Sequence, residues 1–103
     1  MNNSISLIGM AGAGKSSVGI ELAKQLNLHF IDSDALIEAK LNQTLQNILD
    51  DSGYLKLRDI EEETILSIEL TNSILATGGS AVYSARAMQY LKQNSLVIYL
   101  EVP

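Results

Sequence analysis

The fold is decided by Gly9-Met10-Ala11-Gly12-Ala13-Gly14-Lys15-Ser16, which matches the pattern G-x-x-x-x-G-K-[ST] in full. The apolar run at residues 5–8 before it is typical of a short strand, and helical periodicity follows it. Glycines let such a loop curl so that backbone N–H groups point inward, and the N-terminus of the next helix carries partial positive charge. The stretch therefore predicts a strand, a phosphate-binding loop and a helix in succession.

Outward from this loop, strand and helix patterns alternate along the chain. Further strands are predicted at residues 29–32, 73–76 and 96–100, and short helices at 35–40 and 44–50. This alternation indicates βαβ units, a parallel sheet and a three-layer αβα domain of the α/β class. Because no helix pattern follows the fourth strand, the sheet would expose an edge and one face, so either a partner completes it or the chain is a fragment; we expect residues 1–103 to be the N-terminal portion of one domain.

The helix faces are predicted from apolar spacing. In the first helix, which should end at Asn27, Val18, Leu22 and Leu26 recur at helical spacing beside Ala23, and they should form its buried face. The long helix after Gly53 should bury a stripe made of Leu57, Ile60, Thr64 and Ile68. Its acidic residues should mostly face solvent, and these are Glu61, Glu62, Glu63 and Glu69.

Composition excludes several classes of function. The chain has 103 residues, no cysteine and one histidine, so disulfides, thiolate sites and the usual zinc sites cannot form. Its net charge of −5 argues against broad nucleic-acid binding. No window is apolar enough to span a membrane and the N-terminus lacks the features of a secretion signal, so we expect a cytoplasmic protein.

The motif assigns roles to its own side chains. Lys15 is expected to neutralise the β- and γ-phosphates of ATP, and the Ser16 hydroxyl to bind Mg²⁺. The predicted nucleotide-binding residues are Gly12, Ala13, Gly14, Lys15, Ser16 and Ser17. A plain glycine-rich turn is the alternative, which the flanking strand and helix disfavour.

Two carboxylates follow at the end of the second strand. Asp32 and Asp34 are two residues apart, so on a strand both would face one cleft at the carboxyl end of the sheet. One could reach the Mg²⁺ shell and the other could accept a hydrogen bond from a substrate hydroxyl. The alternative for Asp34 is to cap the helix that starts at Ala35.

Arg58 and two glycines complete the candidate site. The Arg58 guanidinium is suited to bidentate capture of a carboxylate, although a surface ion pair with Glu61 or Glu62 is the alternative. Gly78 and Gly79 close the third strand, where they allow close approach of a ligand to the backbone; a tight turn is the alternative.

Taken in order, the loop motif, Asp32-x-Asp34, Arg58-x-x-Glu61 and the Thr77-Gly78-Gly79 element resemble the shikimate kinase family over nearly the whole chain. The resemblance implies a P-loop NTPase fold and transfer of a phosphoryl group from ATP to the 3-hydroxyl of shikimate, in aromatic amino-acid biosynthesis. It also implies catalytic roles for Lys15 and Asp34, and Mg²⁺ binding by Ser16 and Asp32. The substrate-binding residues that it implies are Asp34, Arg58, Gly78 and Gly79, with Glu61 holding Arg58.

The chain departs from the family pattern around the acceptor. Tyr54 and Leu57 stand where the family usually has glutamate and phenylalanine, and Ser80 stands where it usually has a third glycine. That serine would either crowd the acceptor or add a hydroxyl contact. The family's lid arginine and adenine-contacting loop have no counterpart before Pro103, so little activity is expected of the 103 residues alone.

Three functions are therefore compared. The preferred one is a monomeric shikimate kinase acting on a small molecule, with neither nucleic acid nor membrane as a partner. A gluconate-type kinase would share the phosphate loop but would not need Arg58 or the paired glycines around a carboxylate. A non-catalytic nucleotide-binding module without a lid is the alternative from a different class.

Overall fold

The computed structural model describes residues 3–9 and 14–100. Within them, the strands are β1 (Ile5–Gly9), β2 (His29–Asp32), β3 (Ser73–Ala76) and β4 (Leu96–Leu100). The helices are α1 (Lys15–Leu26), α2 (Ser33–Leu41), α3 (Leu45–Ser52), α4 (Tyr54–Ser67) and α5 (Ala85–Asn94), with a 3₁₀ turn at Ala81–Tyr83. The predicted alternation of strands and helices is confirmed, and predicted ends differ by a few residues.

The four strands form one parallel sheet in the order β2-β3-β1-β4. Because all strands run the same way, the carboxyl ends of β1, β2 and β3 meet at one edge of the sheet, where ligands bind in open α/β folds. The loop after β1, the start of α2 and the residues after β3 therefore come together there.

Helices cover both faces of the sheet. Leu7 and Ile74 pack against Ala23 of α1 on one face, with partly buried apolar neighbours around them. Ile8 and Leu75 point to the other face and pack with residues of α4 and α5. Successive strand residues point to opposite faces, so each strand contributes to both cores. The three-layer αβα architecture is thereby confirmed.

The predicted buried face of α1 is confirmed at Ala23 and at the partly buried Leu22, but it is wrong at Val18 and Leu26. Val18 is 39% exposed and Leu26 is 50% exposed, whereas Gly19 and Ala23 are buried. A Cβ added at Gly19 would lie 2.6 Å from the ring of Phe30, so the helix approaches the sheet through its smallest residues. That close approach leaves Val18 and Leu26 on the outer side of the helix.

One acidic residue of α4, Glu61, does not face solvent as predicted. Glu61 is 5% exposed and lies among the buried residues of the helix with Thr64 and Ile65.

None of the helices in residues 3–9 and 14–100 is long and apolar enough to cross a membrane.

Candidate functional site

Gly9 ends β1 and begins the phosphate-loop sequence. Its φ is 142°, and a Cβ here would overlap the carbonyl oxygen of Leu100 on β4. Only glycine tolerates both this backbone and this close approach. The predicted phosphate contacts of Gly12 and Ala13 lie outside the described residues.

The start of α1 has no side-chain cap. Gly14 occupies the N-cap position with φ 77°, no side chain bonds to the first turn, and the first turn contains no acidic residue. The next helix, α2, is by contrast capped by the Asp32 carboxylate. Helix N-termini carry unpaired N–H groups and partial positive charge, so this arrangement at α1 suits a bound anion.

Lys15 and Ser16 extend from the first turn of α1. The buried Lys15 Nζ donates a hydrogen bond to the carbonyl oxygen of Gly9 at 2.8 Å. The Ser16 hydroxyl donates to Asp32 Oδ2 at 3.0 Å. A hydroxyl and a carboxylate at this distance are hard oxygen ligands, and Mg²⁺ in phosphate sites takes such ligands together with phosphate oxygens. These two residues therefore fit the predicted metal site.

Asp32, and not Asp34, caps α2. Its Oδ1 accepts from the backbone N–H groups of Asp34 at 2.9 Å and Ala35 at 3.3 Å. Because β2 passes into α2 without a loop, Asp32 keeps extended φ/ψ values while Asp34 already belongs to the first helical turn. The alternative that Asp34 caps the helix is wrong, as is the premise that both aspartates lie on a strand.

Both aspartates nevertheless line one cavity of about 340 Å³. We call it the Lys15 cavity, and its lining residues are Gly14, Lys15, Ser16, Ser17, Asp32, Asp34, Thr77, Gly78 and Gly79. A second cavity of about 350 Å³, here the Leu57 cavity, is lined by Asp34, Leu45, Tyr54, Leu57, Glu61, Gly79 and Ser80. The two cavities share Asp34 and Gly79, so the Asp34 carboxylate lies at their junction.

The residues after β3 complete this junction. The N–H and the hydroxyl of Thr77 both donate to the carbonyl oxygen of Leu7, at 3.1 Å and 3.0 Å, which fixes the end of β3 beside β1. A Cβ added at the following residue, Gly78, would lie 2.5 Å from Glu61 Oε1 and 2.6 Å from Asp34 Oδ1. Glycine at position 78 therefore allows two acidic side chains to approach the same point of the backbone.

The carboxyl groups of Asp34 and Glu61 lie close together. Their oxygens lie within about 5 Å, a separation at which like charges raise a pKa. Burial raises the pKa of Glu61 above its ordinary value, with Asp34 acting in the same direction and the Ser80 hydroxyl and Lys15 opposing. Burial, followed by the charge of Asp32, likewise raises the pKa of Asp34, while Lys15 opposes the shift.

Glu61 does not hold Arg58 as the resemblance implied. Its Oε2 accepts a hydrogen bond from the Ser80 hydroxyl, and its buried Oε1 has no hydrogen-bond partner within the described residues. Glu62 accepts from Ser84 at 2.5 Å and pairs with Arg86 at 3.2 Å. The surface ion pair that sequence reasoning weighed for Arg58 is therefore not formed with either glutamate.

Arg58 instead contacts two aromatic rings. Its guanidinium carbon lies over the ring of Tyr54 at 5.6 Å and over that of Tyr83 at 5.3 Å. Arg58 and Tyr83 line a third cavity of about 370 Å³, which shares Ser80 with the Leu57 cavity. Arg58 thus lines a cavity that adjoins the Leu57 cavity at Ser80, and it does not line the Leu57 cavity itself.

Sequence reasoning missed two of these contacts. Ser80 was noted as a departure, but its bond to Glu61 depends on α4 lying beside the turn after β3. Tyr83 carried no signal, because the pairing with Arg58 joins residues of different elements. Tyr54 did carry a signal, since it precedes Arg58 by four residues and shares its helical face.

Comparisons with known proteins agree with this geometry. A protein-family model described as "Shikimate kinase" matches residues 11–103. The chain is 43% identical over 104 residues to "Shikimate kinase" of Clostridium botulinum (strain Eklund 17B / Type B), covering all of the chain and 62% of that relative.

Two solved structures resemble this chain to different degrees. A shikimate kinase from Acinetobacter baumannii, solved in complex with shikimate, superposes with a TM-score of 0.92 at 37% identity, over 100% of this chain and 58% of that one. A gluconokinase from Sinorhizobium meliloti 1021 superposes with a TM-score of 0.54 at 22% identity, over 98% of this chain and 58% of that one, and shows the fold alone. This chain therefore spans about 60% of the length of the shikimate kinases that it matches. With a family match over most of its residues, the chain belongs to the shikimate kinase family.

Proposed function

We propose that the protein containing this chain transfers the γ-phosphoryl group of ATP to the 3-hydroxyl of shikimate, giving shikimate 3-phosphate and ADP. The observation that carries the proposal is the pair of adjoining cavities that share Asp34. One is lined by the residues that suit phosphate, and the other by apolar and acidic groups that suit a small polyhydroxy acid.

The phosphate side is assigned to the first turn of α1. Lys15 would place its buried ammonium against the β- and γ-phosphate oxygens, exchanging its bond with the Gly9 carbonyl for bonds to phosphate. Ser16 and Asp32 would hold Mg²⁺, which when bound neutralises charge on the transferring group. Together with the uncapped start of α1, these residues provide the electrostatic stabilisation on which phosphoryl transfer depends.

Asp34 is proposed as the group that accepts the acceptor's hydroxyl proton. It lies at the junction where a hydroxyl in the Leu57 cavity would face a phosphate in the Lys15 cavity. As the acceptor oxygen bonds to phosphorus and the bond from phosphorus to the ADP oxygen breaks, Asp34 takes up the proton. Its raised pKa suits this task, since a stronger base accepts a proton more readily.

The acceptor is proposed to be bound from three sides. Gly78 and Gly79 would leave room beside the backbone, Asp34 would accept from a hydroxyl, and Arg58 would bind the carboxylate through its guanidinium. The cytoplasmic location and the monomeric state expected from the sequence stay predictions.

The test uses the purified natural gene product with ATP and Mg²⁺, and follows ADP release with and without shikimate. Shikimate-dependent ADP release and a product heavier by one phosphoryl group are expected. Release with gluconate or other hydroxy acids, but none above background with shikimate, would overturn the acceptor while leaving a kinase. Nucleotide binding with no acceptor turned over would instead indicate the non-catalytic module.

A further inference from the structure

We infer that Tyr54 and Tyr83 position Arg58 for a carboxylate-bearing acceptor, taking the place of an acidic partner. The inference rests on the proposed function, because it concerns the residue assigned to the acceptor carboxylate. It goes beyond that function by naming two side chains that act through Arg58 and do not themselves belong to the phosphate side.

The acidic side chains next to Arg58 on α4 bind other partners. Glu61 and Glu62 follow Arg58 by three and four residues, which is the spacing that brings side chains together on a helix. The structure instead joins Glu61 to Ser80, and Glu62 to Ser84 and Arg86. Ser80 is thus the residue that draws Glu61 away from the guanidinium.

The two rings that contact Arg58 belong to separate elements. Tyr54 begins α4 and lies one helical turn before Arg58, whereas Tyr83 ends the 3₁₀ turn after β3. Both are large aromatic side chains that stay 52% and 66% exposed, so they fill no core within residues 3–9 and 14–100. Their shared feature is the guanidinium, which lies within 5.6 Å of both ring centres.

Contact with a ring leaves the hydrogen-bond donors of the Arg58 guanidinium available. A ring attracts a guanidinium through its face and leaves the five in-plane N–H donors for other partners. A carboxylate such as Glu61 would by contrast occupy the donors that recognise a carboxylate bidentately. Two rings can therefore restrict the motion of Arg58 while its donors stay available to the acceptor.

The location agrees with this role. Tyr54 lines the Leu57 cavity, Tyr83 lines the cavity that contains Arg58, and Ser80 lines both. Restricting Arg58 at this border lowers the conformational entropy that acceptor binding would otherwise have to remove. The rings should thus affect acceptor affinity and leave ATP affinity unchanged.

The test compares Tyr54→Leu, Tyr83→Leu and the double variant of the natural gene product with Tyr54→Phe and Tyr83→Phe, which keep the rings. Each ring should contribute about two- to fivefold in acceptor KM, as expected of an exposed cation–π contact. The double Leu variant should lose about tenfold, with ATP KM and the thermal midpoint little changed. Tyr99→Leu, at an exposed tyrosine on β4, is the matched control.

A second readout observes the contact directly. The side-chain NMR signals of Arg58 should carry ring-current shifts that disappear in the double Leu variant and persist in the Phe variants. Retained shifts in the double Leu variant, or equal losses in the Leu and Phe variants, would overturn the inference.

The proposed function fails separately from this inference. A wild-type protein that binds no carboxylate acceptor would overturn the function and, with it, the role of the rings. Wild-type binding that the double Leu variant reproduces unchanged would overturn the role of the rings alone.

Discussion

The two halves of the site are built in different ways. The phosphate side is built mainly on one stretch of sequence, where β1 ends at Gly9 and α1 begins at Lys15, with Asp32, Asp34 and the residues after β3 completing the lining of the Lys15 cavity. The acceptor side combines the start of α2, the middle of α4 and the turn after β3. The first half therefore depends mainly on local backbone geometry, and the second depends on how separate elements pack.

This difference explains why a family sequence pattern predicts the contacts of the phosphate side better than those of the acceptor side. Gly9 and Gly14, at the two ends of the phosphate-loop stretch, have positive φ values that favour glycine through local backbone geometry. On the acceptor side, Glu61 accepts from Ser80, and Arg58 contacts the rings of Tyr54 and Tyr83. Substitutions that separate phosphate from acceptor binding can test this comparison.

The largest expected effect is at Lys15. Lys15→Ala in the natural gene product should lower kcat/KM by at least about 10²-fold, because it removes the buried cation that is proposed to contact the transferring group. Steady-state assays with both substrates varied would measure the loss. Lys24→Ala, on the exposed last turn of the same helix, is the control and should retain activity. Equal activity of the two variants would remove the assigned role of Lys15.

Arg58→Ala should act on the other half alone. Loss of a charged bidentate contact should raise the acceptor KM by about 10- to 100-fold, while ATP binding stays close to that of the wild type. Calorimetric titration with each substrate separates the two effects. Arg86→Ala is the matched control, because Arg86 is the second arginine of the chain and is 74% exposed. A collapse of ATP binding in Arg58→Ala would assign Arg58 to the framework of the site.

Gly78→Ala tests the close approach of the two acids. The added Cβ would meet carboxylate oxygens at 2.5 Å and 2.6 Å, so Asp34 or Glu61 must move. We expect a loss of about 1–3 kcal/mol in the free energy of unfolding and a raised acceptor KM. Thermal denaturation and kinetics would measure the two effects.

Gly19→Ala is the control for Gly78→Ala. Its Cβ would crowd the Phe30 ring, which is far in the sequence from the acceptor residues, and alanine in a helix regains about 1 kcal/mol. Gly19→Ala should therefore reduce stability only slightly, and the acceptor KM should not change. A Gly78→Ala variant with wild-type stability and kinetics would contradict the crowding seen in the structure.

The smallest expected effect is the pH dependence of stability at Glu61. Because burial raises its pKa, the folded protein holds a poorly solvated carboxylate at neutral pH, and this cost is relieved as the pH falls through the raised pKa towards the ordinary value of 4.5. Glu61→Gln should therefore increase stability at neutral pH, and the gain should shrink as the pH approaches 4.5. The amide can still accept from Ser80 and offers a donor near Asp34.

Chemical denaturation of Glu61→Gln at several pH values would measure this gain. Glu63→Gln, an exposed position on the same helix, should show no comparable pH trend. A gain in stability that is constant with pH would exclude the ionisation of Glu61 as its cause.

Much of the molecule could be predicted from the sequence. The phosphate-loop motif, the four strands and the parallel three-layer architecture follow from local patterns, because backbone geometry at glycines and the periodicity of apolar residues act over a few neighbours. The same reasoning placed Lys15, Ser16, Asp32 and Asp34 at one edge of the sheet.

Only the tertiary structure decided which side chains became partners. Packing through Gly19 turned Val18 outward, and the direct passage from β2 to α2 made Asp32 the helix cap. Burial of Glu61 against Ser80 and Gly78, and contact of Arg58 with Tyr83, join elements that are distant in the sequence. Such pairings depend on distances of a few ångströms between separately folded elements, which no local pattern of residues contains.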